Sequence, residues 1–126
     1  MTKFFISIAA IMAGLSVASG AFASHALKAR LSQQALDIWE TGSKYQMYHA
    51  LALLMVGLLL SRNDEVSSTL LNAASWAFIV GIVLFSGSLY ALSLSNIKWL
   101  GAITPLGGIA FLVGWCCLAI ATWSFK

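Results

Sequence analysis

Charged residues are scarce in this sequence: Asp, Glu, Lys and Arg make up 9% of its 126 residues, whereas an average soluble domain has roughly 25%. They leave four long stretches without any charge, at residues 4–27, 45–61, 66–97 and 99–125. A chain of this length could not bury so much apolar surface inside a water-soluble globule. The scarcity of charge therefore excludes a soluble enzyme domain and a disordered tail, and it predicts a small integral membrane protein.

Cysteine and basic residues are also few, and their placement excludes two further classes. Cys116 and Cys117 are adjacent, a spacing that fits neither a C-x-x-C metal pair nor a disulfide between distant segments. We interpret them as packing residues and predict no metal site and no cofactor. The seven Lys and Arg residues are spread over loops and ends, unlike the dense basic face of a nucleic-acid-binding protein. The expected partner is the lipid bilayer, and no nucleic acid is expected.

The apolar stretches have the length of membrane spans. A bilayer core about 30 Å thick needs about 20 apolar helical residues, which predicts spans at about 4–24, 44–61, 70–94 and 99–123. Short polar turns at 62–65 and 95–98 make the spans that they join antiparallel. Trp99 and Trp123 bracket the fourth span, as interfacial aromatic residues do. The predicted fold class is an all-α membrane protein, an antiparallel bundle of four transmembrane helices in one domain, residues 1–126.

The first span also resembles a signal peptide. Lys3 precedes its apolar core, and residues 21–23 (AFA) have the small-x-small form of a cleavage site. Against cleavage, small residues recur every four positions in two seams, one containing Gly14 and the other Gly20. Small residues at this spacing let membrane helices approach closely, so we expect the first span to be retained as a packing helix.

Most of the polar side chains lie between the first two spans. Ser32 can cap a short helix over about 33–41, and Gly42 can end it. Apolar residues recur every four positions there, which predicts an interfacial amphipathic helix that lies along the membrane surface or packs over the ends of the spans. Residues 43–46 (SKYQ) then have the form of a capping box and predict the start of the second span.

Two histidines are expected at the same membrane face, because His25 closes the first span and His49 opens the second. Tyr45 and His49 are also four residues apart and share a helix face. Ionisable groups at membrane depth often mark function. Three interpretations stay open: an interfacial hydrogen-bond network, a contact surface for a partner or lipid headgroup, and a haem or metal site, although two histidines alone do not complete a typical zinc site. The candidate polar cluster comprises His25, Asp37, Glu40, Lys44, Tyr45, Gln46 and His49.

No catalytic residue is predicted, since the sequence contains no nucleophile elbow, phosphate loop or H-E-x-x-H motif. Gly87 lies in a Ser-Gly-Ser run within the third span, with no base nearby in sequence, and we predict that it is a helix-packing residue. The one proline, Pro105, precedes Gly107 and Gly108 within the fourth span. Proline removes a backbone donor and kinks helices, so we predict a packing kink there. The alternative is the broken helix of a transporter.

Four segments of the chain resemble the signature of a known family. They are residues 20–27 (GAFASHAL), 39–51 (WETGSKYQMYHAL), 85–90 (FSGSLY) and 104–108 (TPLGG). This pattern is similar to that of the YgdD/YwdK family of small bacterial membrane proteins of unknown function, domain-of-unknown-function family 423. The chain departs from it at Ala23, Ser24 and Ala26, all small-for-small changes. The resemblance implies a four-helix, multi-pass protein of the bacterial inner membrane with an uncleaved first span, and it implies no activity.

Two functions are therefore expected. The first is a small accessory or scaffold protein that acts through membrane-embedded contacts, with a membrane-protein partner or as a homo-oligomer. The second is a lipid or small-molecule binding or transport subunit, which would use the polar pocket at the ends of the first two spans. An enzyme is the third possibility.

Overall fold

The structure is a computed structural model that describes residues 1–62 and 65–125. Within those ranges all regular structure is helical, and no strand is formed. Two π-helical turns and one 3-10 turn interrupt or precede the α-helices. The elements in chain order are α1 (Thr2–Phe22) with a π turn (Ala23–Leu27), α2 (Gln33–Leu60), α3 (Glu65–Gly81), a second π turn (Ile82–Ser86), α4 (Gly87–Ser95), a 3-10 turn (Lys98–Ala102) and α5 (Thr104–Trp123).

Helix α2 is one continuous helix where the sequence predicted a short interfacial helix followed by a span. Its start agrees with the prediction, because the Ser32 hydroxyl accepts a hydrogen bond from the Ala35 N–H at 3.2 Å. Gly42 does not end the helix. It is buried inside α2, where a Cβ atom would lie 3.2 Å from Cε1 of Tyr90 and 3.3 Å from Cβ of Leu89. Its small size therefore allows α4 to approach α2, and residues 33–41 form the first turns of α2.

Hydrogen bonds between the helix ends show that α1 and α2 run antiparallel. They show the same for α5 and the continuous segment that α3 and α4 form through the second π turn. The indole of Trp39 donates to the Ser19 carbonyl at 3.0 Å, which places the end of α1 beside the start of α2. At the same end of the molecule, the Ser93 hydroxyl of α4 donates to the Ala35 carbonyl at 2.6 Å. The start of α3 meets the end of α5 at the opposite end, where the Ser67 and Ser124 hydroxyls lie 3.3 Å apart.

The helices pack in an order in which α1 lies chiefly against α2, α2 against α3 and α4, and α3 against α5. Helix α2 therefore has neighbours on several sides, and Leu53 and Val56 on its buried face are fully buried. Phe5 of α1 and Phe78 of α3 fill the same core. At the outside of this arrangement, α1 and α5 each have a large surface that the rest of the chain does not cover.

Three helical segments are long and apolar enough to cross a membrane: Thr2–Leu27, Ser67–Ser95 and Lys98–Trp123. They include the predicted first, third and fourth spans. The predicted second span belongs to α2, whose first turns carry Gln, Asp, Glu and Lys side chains and lower its average hydropathy. The apolar part of α2 is the half that packs in the core.

Pro105 does not kink a span. It lies in the first turn of α5, where a missing backbone N–H has no acceptor within the helix in any case. The 3-10 turn before it leads the chain into α5. The preceding turn begins at Asn96, which ends α4 in the left-handed conformation with φ of 55°, a common way for a helix to stop.

Candidate functional site

The structure separates the seven residues of the predicted polar cluster. His25 is exposed in the π turn after α1, and Asp37 is exposed and accepts a hydrogen bond from the Gln33 amide at 2.8 Å. Glu40 and Lys44 lie on the surface of α2. The two histidines are not brought together, because His49 points toward α5. Of the seven side chains only Gln46 and His49 are buried, and they face different helices.

Gln46 joins three helices. Its amide nitrogen donates to the Met12 carbonyl of α1 at 2.7 Å, and its amide oxygen accepts from the Tyr90 hydroxyl of α4 at 2.7 Å. The predicted capping role of Gln46 is therefore replaced by contacts between helices. Both ends of the side chain are satisfied, as a buried amide requires.

Serine hydroxyls make further bonds on either side of α2. Ser16 of α1 donates to the Ser43 carbonyl at 2.7 Å, and Ser43 donates back to the Ser16 carbonyl at 3.1 Å. On the other side, Ser86 in the second π turn donates to the Gly42 carbonyl at 2.6 Å. Hydrogen bonds between membrane helices contribute on average about 0.6 kcal/mol each. Together with Gln46 they fix the register of α2 against both neighbours.

His49 is held by one bond to its own helix and one bond to α5. Its Nδ1 atom lies 2.7 Å from the Tyr45 carbonyl oxygen, and its Nε2 atom lies 3.1 Å from the indole nitrogen of Trp115. An indole N–H can only donate and a carbonyl can only accept, so these partners assign the proton to Nδ1 and leave the ring neutral. The ring also stacks on Phe111, with centroids 3.4 Å apart and an interplanar angle of 7°.

These contacts engage both ring nitrogens of His49, so neither is open to a metal or a haem iron. Within residues 1–62 and 65–125, no group of three or more His, Cys, Asp or Glu side chains could hold a metal ion. Gln46 and His49 make hydrogen bonds between helices, whereas His25 is exposed. The exposed residues of the cluster are accessible to a partner or a lipid headgroup, and that interpretation stays a proposal.

Glycines let aromatic side chains enter the packing between α3, α4 and α5. A Cβ atom at Gly107 would lie 2.7 Å from the Phe85 Cα atom, and one at Gly114 would lie 2.6 Å from Cε1 of Phe78. The predicted packing glycines differ in this respect. Gly20 has ordinary contact distance to Ser43, at 3.9 Å, whereas a Cβ atom at Gly14, Gly87 or Gly108 would meet nothing within 4 Å. Gly14 and Gly87 face outward, and Gly108 faces an open groove between α2 and α5.

An open groove lies between α2 and α5, and its volume is about 670 Å³. This is within the roughly 300–1,000 Å³ of typical small-molecule sites. Its walls are aromatic, and Gly108 and Pro105 leave space along the α5 side. The aromatic lining residues are Tyr45, Tyr48, Phe85, Phe111 and Trp115, with His49 among them.

A second groove, of about 450 Å³, lies between the end of α1 and α2. This is where the sequence predicted a pocket at the ends of the first two spans. Its lining is more polar and includes Ser24, Glu40 and Lys44. Tyr48 lines both grooves, so they meet on the exposed face of α2.

Tyr90, Phe111 and Trp115 were not predicted as site residues. Each lies in an apolar stretch, where an aromatic residue is typical of core packing or of a lipid-facing surface. Their partners lie far away in sequence: 44 residues separate Tyr90 from Gln46, and 66 separate Trp115 from His49. Local periodicity carries no signal for such pairs.

Comparisons with known proteins agree with the family resemblance. The family model described as "Protein of unknown function (DUF423)" matches residues 19–108. The chain is 46% identical over 123 residues to a UPF0382 membrane protein of Staphylococcus aureus (strain bovine RF122 / ET3-1), with 98% of each chain covered. It is 46% identical over 119 residues to the UPF0382 membrane protein YwdK of Bacillus subtilis (strain 168), covering 94% of this chain and 95% of YwdK. No solved structure matches the chain.

Proposed function

Because this chain belongs to the DUF423 family, whose matching relatives are named membrane proteins, we propose that it is a small accessory protein of the bacterial inner membrane. It crosses the bilayer four times and acts as a scaffold through contacts made within the membrane. The partner is a helix of another membrane protein or of a second copy of this chain.

The helix order supports four crossings. The end of α1 lies beside the start of α2, whereas the start of α3 lies at the opposite end of the molecule, beside the end of α5. If α1 and α3 cross the membrane, α2 must cross it as well, since it connects them. The 28 residues of α2 extend about 42 Å, which exceeds the bilayer core of about 30 Å. Its polar first turns then stand in the headgroup region.

The observation that carries the scaffold role is the uncovered face of α1. This helix packs along α2 and touches α3 through the rings of Phe4 and Phe5 on Trp76. Its opposite face presents Ala10, Gly14 and Ala18, all exposed. Small residues four positions apart allow a second helix to approach closely in a membrane. An outer helix with such a face is suited to pairing with another helix.

The test uses two glycines that face outward on different helices. Gly14→Leu would block the α1 face without disturbing the fold, because a Cβ atom there meets nothing within 4 Å. Gly87→Leu adds the same bulk on α4, where a Cβ atom also meets nothing within 4 Å. Native mass spectrometry from mild detergent should show a second protein or a second copy bound to the wild type and to Gly87→Leu.

The Gly14→Leu variant should be recovered without that partner. A wild-type protein that is recovered only as a lone monomer would contradict the scaffold role, as would equal retention of the partner by both leucine variants. Circular dichroism of the purified variants establishes that each remains helical.

A second candidate function, the binding of a lipid or a small molecule, is favoured by the two grooves that meet at Tyr48. The groove between α1 and α2 offers polar contacts from Ser24, Glu40 and Lys44. The same mass spectra would report a retained small ligand as an added mass on the monomer. Neither candidate requires the other, because the α1 face and the grooves are different surfaces.

A further inference from the structure

We infer that the groove between α2 and α5 binds one acyl chain of a membrane phospholipid, whose phosphate lies near the Lys44 ammonium group. This inference rests on the second candidate function, lipid binding, and its site is distinct from the outward face of α1 that carries the proposed scaffold role. It also differs from the polar pocket at the ends of the first two spans, because its lining is almost entirely aromatic and aliphatic.

The polar side chains at the inner end of the groove already have hydrogen-bond partners within the protein. His49 and Trp115 are the polar side chains there, and each satisfies the other through the bond at 3.1 Å. The remaining ring nitrogen of His49 is bonded to the Tyr45 carbonyl. A polar group inserted between them would lose its own hydration without gaining a partner. The chemistry of the site therefore selects a hydrocarbon chain.

The length of the groove matches one leaflet of a bilayer. Pro105 and Trp115 both line it, and along α5 they are separated by about 15 Å. This is half of a bilayer core of about 30 Å. Pro105 lies in the first turn of α5, on the side of the molecule that carries the polar first turns of α2. A chain that enters beside Pro105 would thus reach Trp115 near the middle of the bilayer.

The basic side chain that can meet the head of the ligand lies beside the groove, because Lys44 lines the neighbouring groove between α1 and α2. Lys44 is exposed, immediately precedes Tyr45 in α2, and shares the neighbouring groove with Tyr48. An ammonium group at this level attracts a lipid phosphate, and tyrosine side chains are suited to the interface. Glu40 lies one turn before Lys44 and lines the same neighbouring groove, so its carboxylate opposes part of the attraction of Lys44 for phosphate. A phospholipid offers both the chain and the phosphate.

The test uses delipidated protein in mild detergent and phosphatidylglycerol that carries a photoreactive diazirine on one acyl chain. After illumination, mass spectrometry should locate the label on the groove residues of α5, above all Leu112 and Trp115. Gly108→Leu should reduce labelling at least fivefold, because Gly108 lines the groove and a side chain there would occupy it. Gly87→Leu, an outward glycine elsewhere, is the matched control and should label like the wild type.

A second pair of variants tests the phosphate. Lys44→Met should weaken retention of the lipid about fivefold, as expected for one basic residue near the membrane surface. Lys28→Met removes an exposed lysine away from the groove and should have no effect. The assignment of a phospholipid would be overturned if wild type and Lys44→Met were labelled equally in the groove. It would also be overturned if a fatty alcohol of the same chain length displaced the labelled lipid as well as unlabelled phospholipid does.

Labelling spread evenly over the lipid-facing surface, or equal in Gly108→Leu and Gly87→Leu, would overturn the site itself. Because Gly108→Leu could misfold, a second measurement uses protein that retains Gly108. Phospholipids brominated on the acyl chain should quench the fluorescence of Trp115, measured as the difference between wild type and Trp115→Phe, and no such quenching would also refute the site. Gly14→Leu should label normally, so failure of the scaffold role and failure of the lipid site are distinguishable.

Discussion

The indole N–H of Trp115 donates to Nε2 of His49 at 3.1 Å, and this bond joins α5 to α2. The two helices otherwise meet mainly through the rings around it, with His49 stacked on Phe111 at 3.4 Å between centroids. The bond assigns the His49 proton to Nδ1. It also leaves neither the Trp115 indole N–H nor the His49 Nε2 atom available to form a hydrogen bond with a ligand at the inner end of the groove. It therefore ties α2 to α5, which packs chiefly against α3.

We expect a measurable coupling between these two side chains. His49→Phe and Trp115→Phe each remove the bond, and both keep an aromatic ring in place. Pairs of this kind in membrane proteins contribute on average about 0.6 kcal/mol and at most about 1.7 kcal/mol. A double-mutant cycle of unfolding in sodium dodecyl sulfate, followed by near-UV circular dichroism, should return a coupling in that range. Additive effects of the two substitutions would show that the bond contributes nothing.

Adjacent glycines should respond oppositely to the same substitution. Gly107→Ala places a Cβ atom 2.7 Å from the Phe85 Cα atom, and overpacking of this kind destabilises by roughly 1–3 kcal/mol. Gly108→Ala meets nothing within 4 Å and gains up to about 1 kcal/mol from the higher helix propensity of alanine. The same unfolding experiment compares them. Equal effects of the two alanines would contradict the packing of α5 on the second π turn.

Substitutions at Gln46 and Tyr90 should lower the free energy of unfolding in proportion to the number of hydrogen bonds that each substitution breaks. Gln46→Leu breaks the bonds to the Met12 carbonyl and to the Tyr90 hydroxyl, whereas Tyr90→Phe breaks only the second. At about 0.6 kcal/mol for each bond between helices, the leucine variant should lose about twice as much unfolding free energy. If Tyr90→Phe were the more damaging change, the role of Gln46 as the bridge between α1 and α4 would be refuted.

Pro105 should be replaceable. Because it lies in the first turn of α5, Pro105→Ala breaks no helical bond and should reduce stability by at most about 1 kcal/mol, through the greater freedom of the unfolded chain. Val113→Pro is the contrasting variant, since Val113 is half exposed in the middle of α5. A proline there removes a hydrogen bond and should destabilise by about 3 kcal/mol or more. Thermal unfolding of the two variants in detergent, followed by circular dichroism, compares their stabilities.

Several features of the fold could be predicted because their signals are local. The cap at Ser32 depends on a hydroxyl that accepts a hydrogen bond from a backbone N–H only three residues away. The polar turn predicted at 95–98 is confirmed where Asn96 ends α4, whereas the turn predicted at 62–65 includes residues 63 and 64, which lie outside the described residues. Gly42 and Pro105 show where local reasoning failed: a glycine after a short amphipathic segment is typical of a helix end, and a proline in an apolar stretch is typical of a kink. Tyr90 and Leu89 pack against Gly42. The 3-10 turn before α5 places Pro105 in the first turn of that helix, where proline is well tolerated.

Six of the seven residues of the predicted polar cluster lie on α2, and the structure distributes them around that helix, while His25 lies in the π turn after α1. Residues at successive positions of a helix point in different directions, so Tyr45, Gln46 and His49 cannot all meet the same neighbour. Tyr45 and His49 do share a face, as their spacing of four predicts. Which helix covers that face could not be read from the spacing, and the answer, α5 with Phe111 and Trp115, lies at the other end of the chain.

The sequence by itself determined that this protein is a membrane protein of its family, because solvent preference is a property of composition and family signatures are properties of residue order. It also determined most of the helical segments, since apolar length and caps act within a few residues. Only the tertiary structure decided that α2 is continuous and central, that Gln46 joins α1 to α4, and that Trp115 pairs with His49. Such contacts depend on how helices rotate and slide against each other, and residues far apart in the chain then share a surface that no local pattern records.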